Sequence, residues 1–227
     1  MKSIFVFILT LLTGLAMAQN FEGKVVYSME ITGLPAGASS EQMAQYIPKQ
    51  QIMYYKNGST RTESVGGMMP VTIVVPRTGE GMFFINDDKK QALHMDKKQI
   101  DDQMKDVKDM KVTTKKTTET RMIAGYKCTK YMVTIIPAKK DDKKMETVVW
   151  AADDLKPAKS AANNPNDMLT KQIEGLPLIT TIQQGPMNIL LTATDVKAMP
   201  LDEELFIKPA GYTQEPFSQE AMMKSMR

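Results

Sequence analysis

Residues 175–212 read GLPLITTIQQGPMNILLTATDVKAMPLDEELFIKPAGY, and this stretch decides the fold that we expect. Two runs of strand-forming residues, Leu178–Gln184 and Met187–Thr194, meet at a Gly-Pro pair. A third short run, Asp195–Met199, leads through a proline and an acidic turn to the apolar triplet Leu205-Phe206-Ile207. This order predicts the end of a sheet, with a last segment that packs against it.

The residues upstream of this stretch predict earlier strands of the same sheet. Lys24–Ile31 largely alternates apolar and polar side chains, as does a strand with one buried face. Asn57-Gly58 separates two strand-like runs, and this pair is typical of a tight β-hairpin turn. Further runs, separated by short turns, bring the expected count to roughly ten or eleven strands in one mainly antiparallel sheet.

Three short segments have helical features instead of strand features. They are Glu41–Ile47, Asp96–Met110 and Pro165–Ile173. Because so few helices cannot cover a large sheet fully, we expect the sheet to curve around them. The predicted fold class is therefore α+β, mostly β: a strongly curved antiparallel sheet, or incomplete β-barrel, with two or three short helices as a lid.

The first 18 residues predict a signal peptide. Lys2 is a positive start, Ile4–Leu15 is an apolar core too short for a comfortable bilayer span, and Ala16-Met17-Ala18 is a small-x-small cleavage site. No cysteine lies near this site, which excludes a lipoprotein-type start. We therefore expect a soluble protein exported to the periplasm or secreted, with one domain over residues 19–212 and a flexible tail over 213–227.

Composition limits the classes of function. After Ala18 the chain carries 28 basic and 26 acidic residues, a balance that does not indicate a nucleic-acid binder. No later apolar run is long enough for a transmembrane helix. The single cysteine, Cys128, excludes an internal disulfide, and its apolar neighbours favour a buried structural thiol over one that pairs with another chain.

Two stretches resemble known families. Leu201–Tyr212, in which an acidic turn precedes a Phe, a Pro and a Gly-Tyr pair, resembles the closing segment of the lipoprotein-carrier-like (LolA/LolB-like) periplasmic proteins. Ile123–Thr129, followed by Val148-Val149-Trp150 and Asp154-Leu155, is similar to an uncharacterised secreted family of Gram-negative bacteria. The resemblance implies an incomplete β-barrel with a helical lid and an apolar cavity suited to acyl chains, and it implies no catalytic residues. No arginine of this chain matches the one that gates the carriers' lid.

Residue patterns of catalysis are scarce, so we expect no enzyme, no metal site and no cofactor. His94 is the only histidine and is more easily explained as a strand residue than as part of a triad. No nucleophile elbow and no phosphate-binding glycine loop is present. Asp87-Asp88 and Asp101-Asp102 lack the spacing of a calcium loop and are expected on solvated turns and helix faces.

Methionine is the most informative residue type, since 18 of the 20 methionines lie after Ala18. Methionine suits surfaces that accept varied apolar partners, although ordinary core packing remains an alternative. A third possibility, a Cu(I) site of thioethers, concerns Met222, Met223 and Met226. The residues that we expect to line an apolar cavity are Val25, Tyr27, Met29, Tyr54, Ile73, Phe84, Trp150 and Ile189 from the strands and Met104 and Met168 from the lid helices.

Two hypotheses about function follow from this pattern. The first is a non-catalytic periplasmic binder or carrier of a hydrophobic small molecule or lipid, held in the concave face of the sheet. The alternative is an envelope protein-protein interaction module whose core is filled by its own side chains. An error of one residue in the assignment of faces would move every side chain of a strand to the other face.

Overall fold

The computed structural model describes residues 20–33, 48–67, 71–105, 110–137, 144–159, 172–184 and 187–225. Within these ranges, 12 strands form one strongly curved, unclosed sheet, so the predicted incomplete barrel is confirmed, with slightly more strands than expected. The expected signal peptide and the expected helix at Glu41–Ile47 lie outside the described residues, as does most of the helix expected at Pro165–Ile173.

The elements follow one another with short connections. The strands are β1 (Gly23–Thr32), β2 (Gln50–Lys56), β3 (Ser59–Val65), β4 (Thr72–Val75), β5 (Gly81–Asn86), β6 (Gln91–Asp96), β7 (Lys111–Ile123), β8 (Tyr126–Ile136), β9 (Met145–Ala152), β10 (Leu176–Gln184), β11 (Met187–Ala198) and β12 (Thr213–Pro216). The helices are α1 (Lys97–Gln103) and α2 (Gln219–Ser225), and a 3-10 turn spans Glu203–Phe206.

The strand order in the sheet is β12-β6-β5-β4-β3-β2-β1-β11-β10-β9-β8-β7. Strand β1 lies between β2 and β11, so the first strand joins the early hairpins to the late ones. All described neighbours are antiparallel except β12, which runs parallel to β6. In the part of the chain that the structure describes, the sheet does not close, because β12 forms one edge and β7 forms the other.

The most secure turn of the sequence is confirmed. Asn57 and Gly58 connect β2 to β3, and both have positive φ angles, 49° and 86°. A tight primed turn needs positive φ at both central residues, which Asn and Gly tolerate best. The pairing of Lys56 with Ser59 fixes the register of this hairpin.

The sequence predicts a separate run at Asp195–Met199, but β11 continues without a break to Ala198. The register against β1 shifts at this point, because Val26 pairs with Asp195 and Tyr27 pairs with Ala193. Thr194 is therefore the extra residue of a β-bulge. A bulge interrupts the apolar alternation, which is why one strand has the sequence pattern of two.

Regular elements follow residue 212, where the sequence predicts a flexible tail. Thr213–Pro216 adds to the edge of β6, and α2 follows it. The side-chain amide of Asn86 donates to the carbonyl oxygen of Ser225 at 2.6 Å. The four residues of β12 are all exposed and carry no apolar pattern, so the sequence does not indicate this strand, which pairs with β6 through its backbone.

Helix α1 is the described part of the lid predicted at residues 96–110. Asp96 caps it: its Oδ1 accepts from the Gln99 backbone N–H at 2.7 Å, and the Gln99 side chain accepts from the Asp96 N–H at 3.1 Å. The predicted stripe is confirmed at Ile100 and Met104, which are both buried. This helix therefore packs on the sheet and contributes to the core.

Candidate apolar binding face

The strand registers divide the sheet into two faces. Successive residues of a strand point to opposite faces, and residues paired directly across neighbouring strands share a face. We name the two sides after one residue each: the Tyr27 face and the Trp150 face. On β1, for example, Val25 and Tyr27 lie on the Tyr27 face, whereas Lys24 and Ser28 lie on the Trp150 face.

Three rows of paired residues cross the Tyr27 face, and most of their members are apolar. The first row is Val196, Val25, Met53, Thr62, Ile73, Phe84 and Leu93. The second row is Lys116, Tyr131, Val149, Thr180, Leu191 and Met29. The third row is Ile182, Ile189 and Ile31. These rows arise because the alternating apolar positions of consecutive strands are held in register.

Six of the ten predicted lining residues share this face. They are Val25, Tyr27, Met29, Ile73, Phe84 and Ile189. Val25 and Tyr27 are fully or almost fully buried, whereas the other four are half-buried. The structure therefore brings these strand residues together, although Val25 and Tyr27 leave little surface for a ligand.

The other four predicted residues are placed differently. Tyr54 pairs with Lys24, and Trp150 pairs with Ile179, so both lie on the Trp150 face. Strand alternation permits such a one-residue change of face, and Trp150 still packs against the buried cluster that contains Val25 and Tyr27. Met104 lies at the end of α1 and packs against the Tyr27 face, and Met168 lies outside the described residues.

The two ends of the Tyr27 face are covered by the chain itself. At the β5–β6 end, Met104 and Ile100 pack with Met95 against Met82 and the neighbouring rings of Phe84 and Phe217. At the β8–β9 end, Ile173 packs on Tyr131, Val133, Val149 and Ala151. The middle of the face lies between these two covered ends.

We call this middle region the central patch. It consists of Met29, Ile31, Ile182, Ile189 and Leu191. All five side chains are half-buried, and they come from the three adjacent strands β1, β11 and β10. The central patch is therefore a continuous apolar surface that the described residues leave partly open.

A polar cluster that the sequence does not predict holds the β8–β9 end in place. The Asp153 carboxylate accepts hydrogen bonds from Thr129 Oγ1 at 2.9 Å and from Tyr131 Oη at 3.0 Å. Lys116 Nζ lies 3.1 Å from Asp153 and 2.9 Å from Glu174. The signal in the sequence was the Asp153-Asp154 turn, but its partners come from three distant segments.

The pKa values of this polar cluster follow from its burial and its hydrogen bonds. Burial alone would raise the pKa of Asp153, but the hydrogen bonds from Lys116, Thr129 and Tyr131 outweigh it and hold that pKa below its ordinary value. Burial raises the pKa of Tyr131. The hydrogen bonds that Lys116 donates to the Glu174 and Asp153 carboxylates raise the pKa of Lys116 well above its ordinary value. The cluster is thus charged at neutral pH and joins the 172–174 segment to the sheet.

Cys128 is fully buried, as its sequence context predicts. Burial raises the pKa of its thiol to about 11. Its pairing partner on the neighbouring strand β7 is Arg121. The Arg121 guanidinium lies 4.1 Å from the centre of the Trp150 ring. A buried, protonated thiol is unreactive, so a structural role fits this residue.

The remaining chemistry-bearing residues do not converge. The His94 ring stacks on Phe83 with 4.6 Å between ring centres. Within the described ranges, no group of three or more His, Cys, Asp or Glu residues could hold a metal ion. Met222 and Met223 lie in α2, whereas Met226 lies beyond the described residues. No helix in the described part of the chain is long and apolar enough to cross a membrane.

Comparison with solved structures gives low overall likeness. A PNGF-II structure is 16% identical with a TM-score of 0.41, and the match covers 90% of this chain and 33% of that chain. The crystal structure of LprF from Mycobacterium bovis is 12% identical with a TM-score of 0.38, and the match covers 84% and 90% of the two chains. This chain thus spans only a third of the PNGF-II chain. Both TM-scores lie below 0.5, so neither likeness carries an argument about function.

Comparison with protein families is more decisive. No curated protein matches the chain. A family model described as a domain of unknown function, DUF4412, matches residues 21–212 and so includes every strand from β1 to β11. The resemblance of the middle stretch to an uncharacterised family is thereby confirmed. Because the model covers most of its length, the chain belongs to the DUF4412 family, whose description assigns no function.

Proposed function

We propose that this protein is a non-catalytic binder or carrier of a hydrophobic ligand, a lipid or an acyl chain, held on the Tyr27 face. One observation carries the proposal: the central patch is apolar, continuous over three strands and half-buried on a strongly curved sheet. A curved sheet surrounds a bound chain on more than one side, so more of the ligand leaves water than it would on a flat sheet.

The driving force would be removal of apolar surface from water. Each buried methylene of a ligand contributes about 0.8 kcal/mol, or about 25 cal/mol per Å². The central patch offers four branched aliphatic side chains and Met29, with no charged group among them. Such a lining favours long aliphatic ligands over charged or strongly polar ones, because polar groups would lose their hydrogen bonds to water.

The two covered ends limit the proposed ligand site to the middle of the Tyr27 face. Helix α1 and Phe217 cover the β5–β6 end, and Ile173 covers the β8–β9 end. The central patch lies between these two covers. The signal-peptide pattern of residues 1–18 leads us to include export to the periplasm in the proposal, where a carrier of lipids would operate.

The first test is native mass spectrometry of the full chain produced with its signal segment and purified from a bacterial envelope. We expect an adduct with the mass of a lipid or fatty acid. After removal of this adduct with organic solvent, a fluorescent fatty acid should bind in solution with micromolar affinity or better.

A matched pair of variants locates the site. Ile189 and Leu190 are adjacent and both half-buried, but Ile189 lies on the Tyr27 face and Leu190 lies on the Trp150 face. Ile189→Lys places a charge in the central patch and should weaken fatty-acid binding at least about tenfold. Leu190→Lys should leave the affinity within about twofold of the parent protein.

Opposite results would refute the proposal. If no lipid co-purifies and the fatty acid does not bind to the stripped protein, the Tyr27 face is not a ligand site. An envelope protein that co-purifies in place of a lipid would instead favour the interaction module. If both variants weaken binding equally while circular dichroism shows intact folding, the ligand binds elsewhere.

A further inference from the structure

The basic charge of this protein is concentrated in one hairpin. Residues 111–136, which form β7 and β8, contain six basic residues and one acidic residue, a net charge of +5. Outside this hairpin and residues 1–18, the chain carries 22 basic and 25 acidic residues, a net charge of −3. The hairpin also lies at the edge of the sheet, since β7 has a neighbour on only one side among the described strands.

Most of this charge lies on the Trp150 face. Lys111 and Lys115 pair with Ile136 and Met132 on β8, and both lysines are exposed. Lys130 pairs directly with Trp150 on β9. We call this surface the Trp150 patch; it consists of Lys111, Lys115, Arg121, Lys130, Met132, Ile136 and Trp150.

Cationic groups contact the aromatic ring of this patch, and apolar side chains lie on the same face. The Arg121 guanidinium lies 4.1 Å from the centre of the Trp150 ring, and Lys130 Nζ lies 5.9 Å from it. Ile136 is 42% exposed, and Met132 and Trp150 are half-buried. The combination of Trp with Lys and Arg is typical of protein surfaces at the headgroup level of a bilayer.

The charges also favour one class of binding partner over another at this edge of the sheet. A second copy of the same strand would bring Lys111 and Lys115 against like charges. The register of β7 is also irregular between Lys116 and Thr120, which interrupts the ladder that an added strand would extend. An anionic bilayer needs no strand pairing and attracts the cations of the patch, of which Lys130 already contacts the Glu119 carboxylate at 2.9 Å.

We propose that the Trp150 patch is a docking surface for a bilayer that contains anionic phospholipid. The lysines and Arg121 approach the phosphate groups, and Trp150 with Met132 and Ile136 enters the interfacial layer. The patch lies on the opposite face from the central patch, so docking does not require that a ligand is bound.

The test uses vesicles of phosphatidylglycerol mixed with phosphatidylcholine, and vesicles of phosphatidylcholine alone. We expect co-sedimentation with the first kind, decreasing as salt rises, and none with the second. Trp150 is the only tryptophan, so its fluorescence reports the patch directly. Bromine-labelled phosphatidylglycerol should quench this fluorescence, and the bromine-free lipid should not.

Two charge-matched variants distinguish an effect of the Trp150 patch from an effect of the protein's net charge. The double variant Lys111→Glu/Lys115→Glu should weaken vesicle binding at least about tenfold. The control Lys97→Glu/Lys98→Glu changes net charge equally on exposed lysines of α1 and should change binding by less than about twofold. Binding of the fluorescent fatty acid in solution should be unchanged in both, which keeps this test independent of the ligand site.

Three results would overturn the proposal. One is failure to bind phosphatidylglycerol vesicles at low salt. Another is equal weakening by the two double variants, which would indicate an effect of net charge alone. The third is retention by polyglutamate beads without vesicle binding or quenching of Trp150, which would identify an acidic polypeptide as the partner.

Discussion

The hydroxyl of Tyr27 donates a hydrogen bond to the carbonyl oxygen of Pro177, with 2.8 Å between the two oxygens, although 150 residues separate them in the chain. Tyr27 is in β1 and Pro177 is in β10, so the bond spans β11, where Ala193 pairs with Tyr27 and leaves room for the ring. The register of β10 shifts between Pro177 and Ile179. The bond thus reaches an acceptor at a bulge, where the strand ladder is interrupted.

Tyr27→Phe should therefore destabilise the protein although the ring is kept. Tyr27 is 5% exposed, and the loss leaves the Pro177 carbonyl without this donor. We expect the free energy of unfolding in urea to fall by about 1–3 kcal/mol. The control is Tyr126→Phe, because the Tyr126 hydroxyl has no partner within the described ranges. This variant should change stability by less than about 0.5 kcal/mol, and an equal loss in both would contradict the role of the bond.

Phe206 should anchor the C-terminal segment. Its side chain is 2% exposed in the 3-10 turn that packs on β3 and β4, whereas the adjacent Ile207 is 53% exposed. Phe206→Ala should cost about 3–5 kcal/mol, and Ile207→Ala less than about 0.5 kcal/mol, in thermal or urea unfolding. Similar costs for the two variants would mean that the segment is not held by burial of the ring.

Asp153 should make stability depend on pH in the acid range. Its folded pKa lies below its ordinary value, so its contribution is present above about pH 4 and is lost as pH falls through the folded pKa. Asp153→Asn should lower stability by about 1–2 kcal/mol at pH 7, toward the low end because its side chain is 36% exposed. The difference from the parent protein should shrink below pH 4.

The neighbouring Asp154 supplies the control for this prediction. It is exposed, and Asp154→Asn should leave the unfolding curve nearly unchanged at every pH. A difference between Asp153→Asn and the parent protein that stays constant from pH 7 to pH 3 would show that the charge of Asp153 is not involved.

Gly175 should tolerate no side chain. Its φ is +96°, and a Cβ there would collide with the carbonyl oxygen of Ala152. Gly125 has a similar φ of +86°, but no atom lies within 4 Å of its added Cβ. Gly125→Ala should therefore cost only the backbone strain, about 1–2 kcal/mol. Gly175→Ala should cost about 3–5 kcal/mol or prevent folding, because the collision adds to that strain. Equal costs would argue against the close approach of Gly175 to β9.

The amino-acid sequence determined most of the strands, the first hairpin and the buried side of α1. These features are local: Asn57-Gly58 selects its turn, and the spacing of Ile100 and Met104 selects one side of a helix. The alternation of β1 likewise sufficed to place Val25 and Tyr27 on a common buried face. Each of these depends on neighbours within about one helical turn or one strand.

Tertiary structure alone decided the faces of β2 and β9, the bulge at Thr194 and the order of the C-terminal segment. In β2, Ile52 to Tyr55 are four consecutive large residues of apolar character, so alternation cannot assign Tyr54 to a face. The same holds for Val148, Val149 and Trp150 in β9. Pairing of β2 with β1 and of β9 with β8 decided the face of each residue in β2 and β9. A partner strand fixes the register, and the register fixes the face.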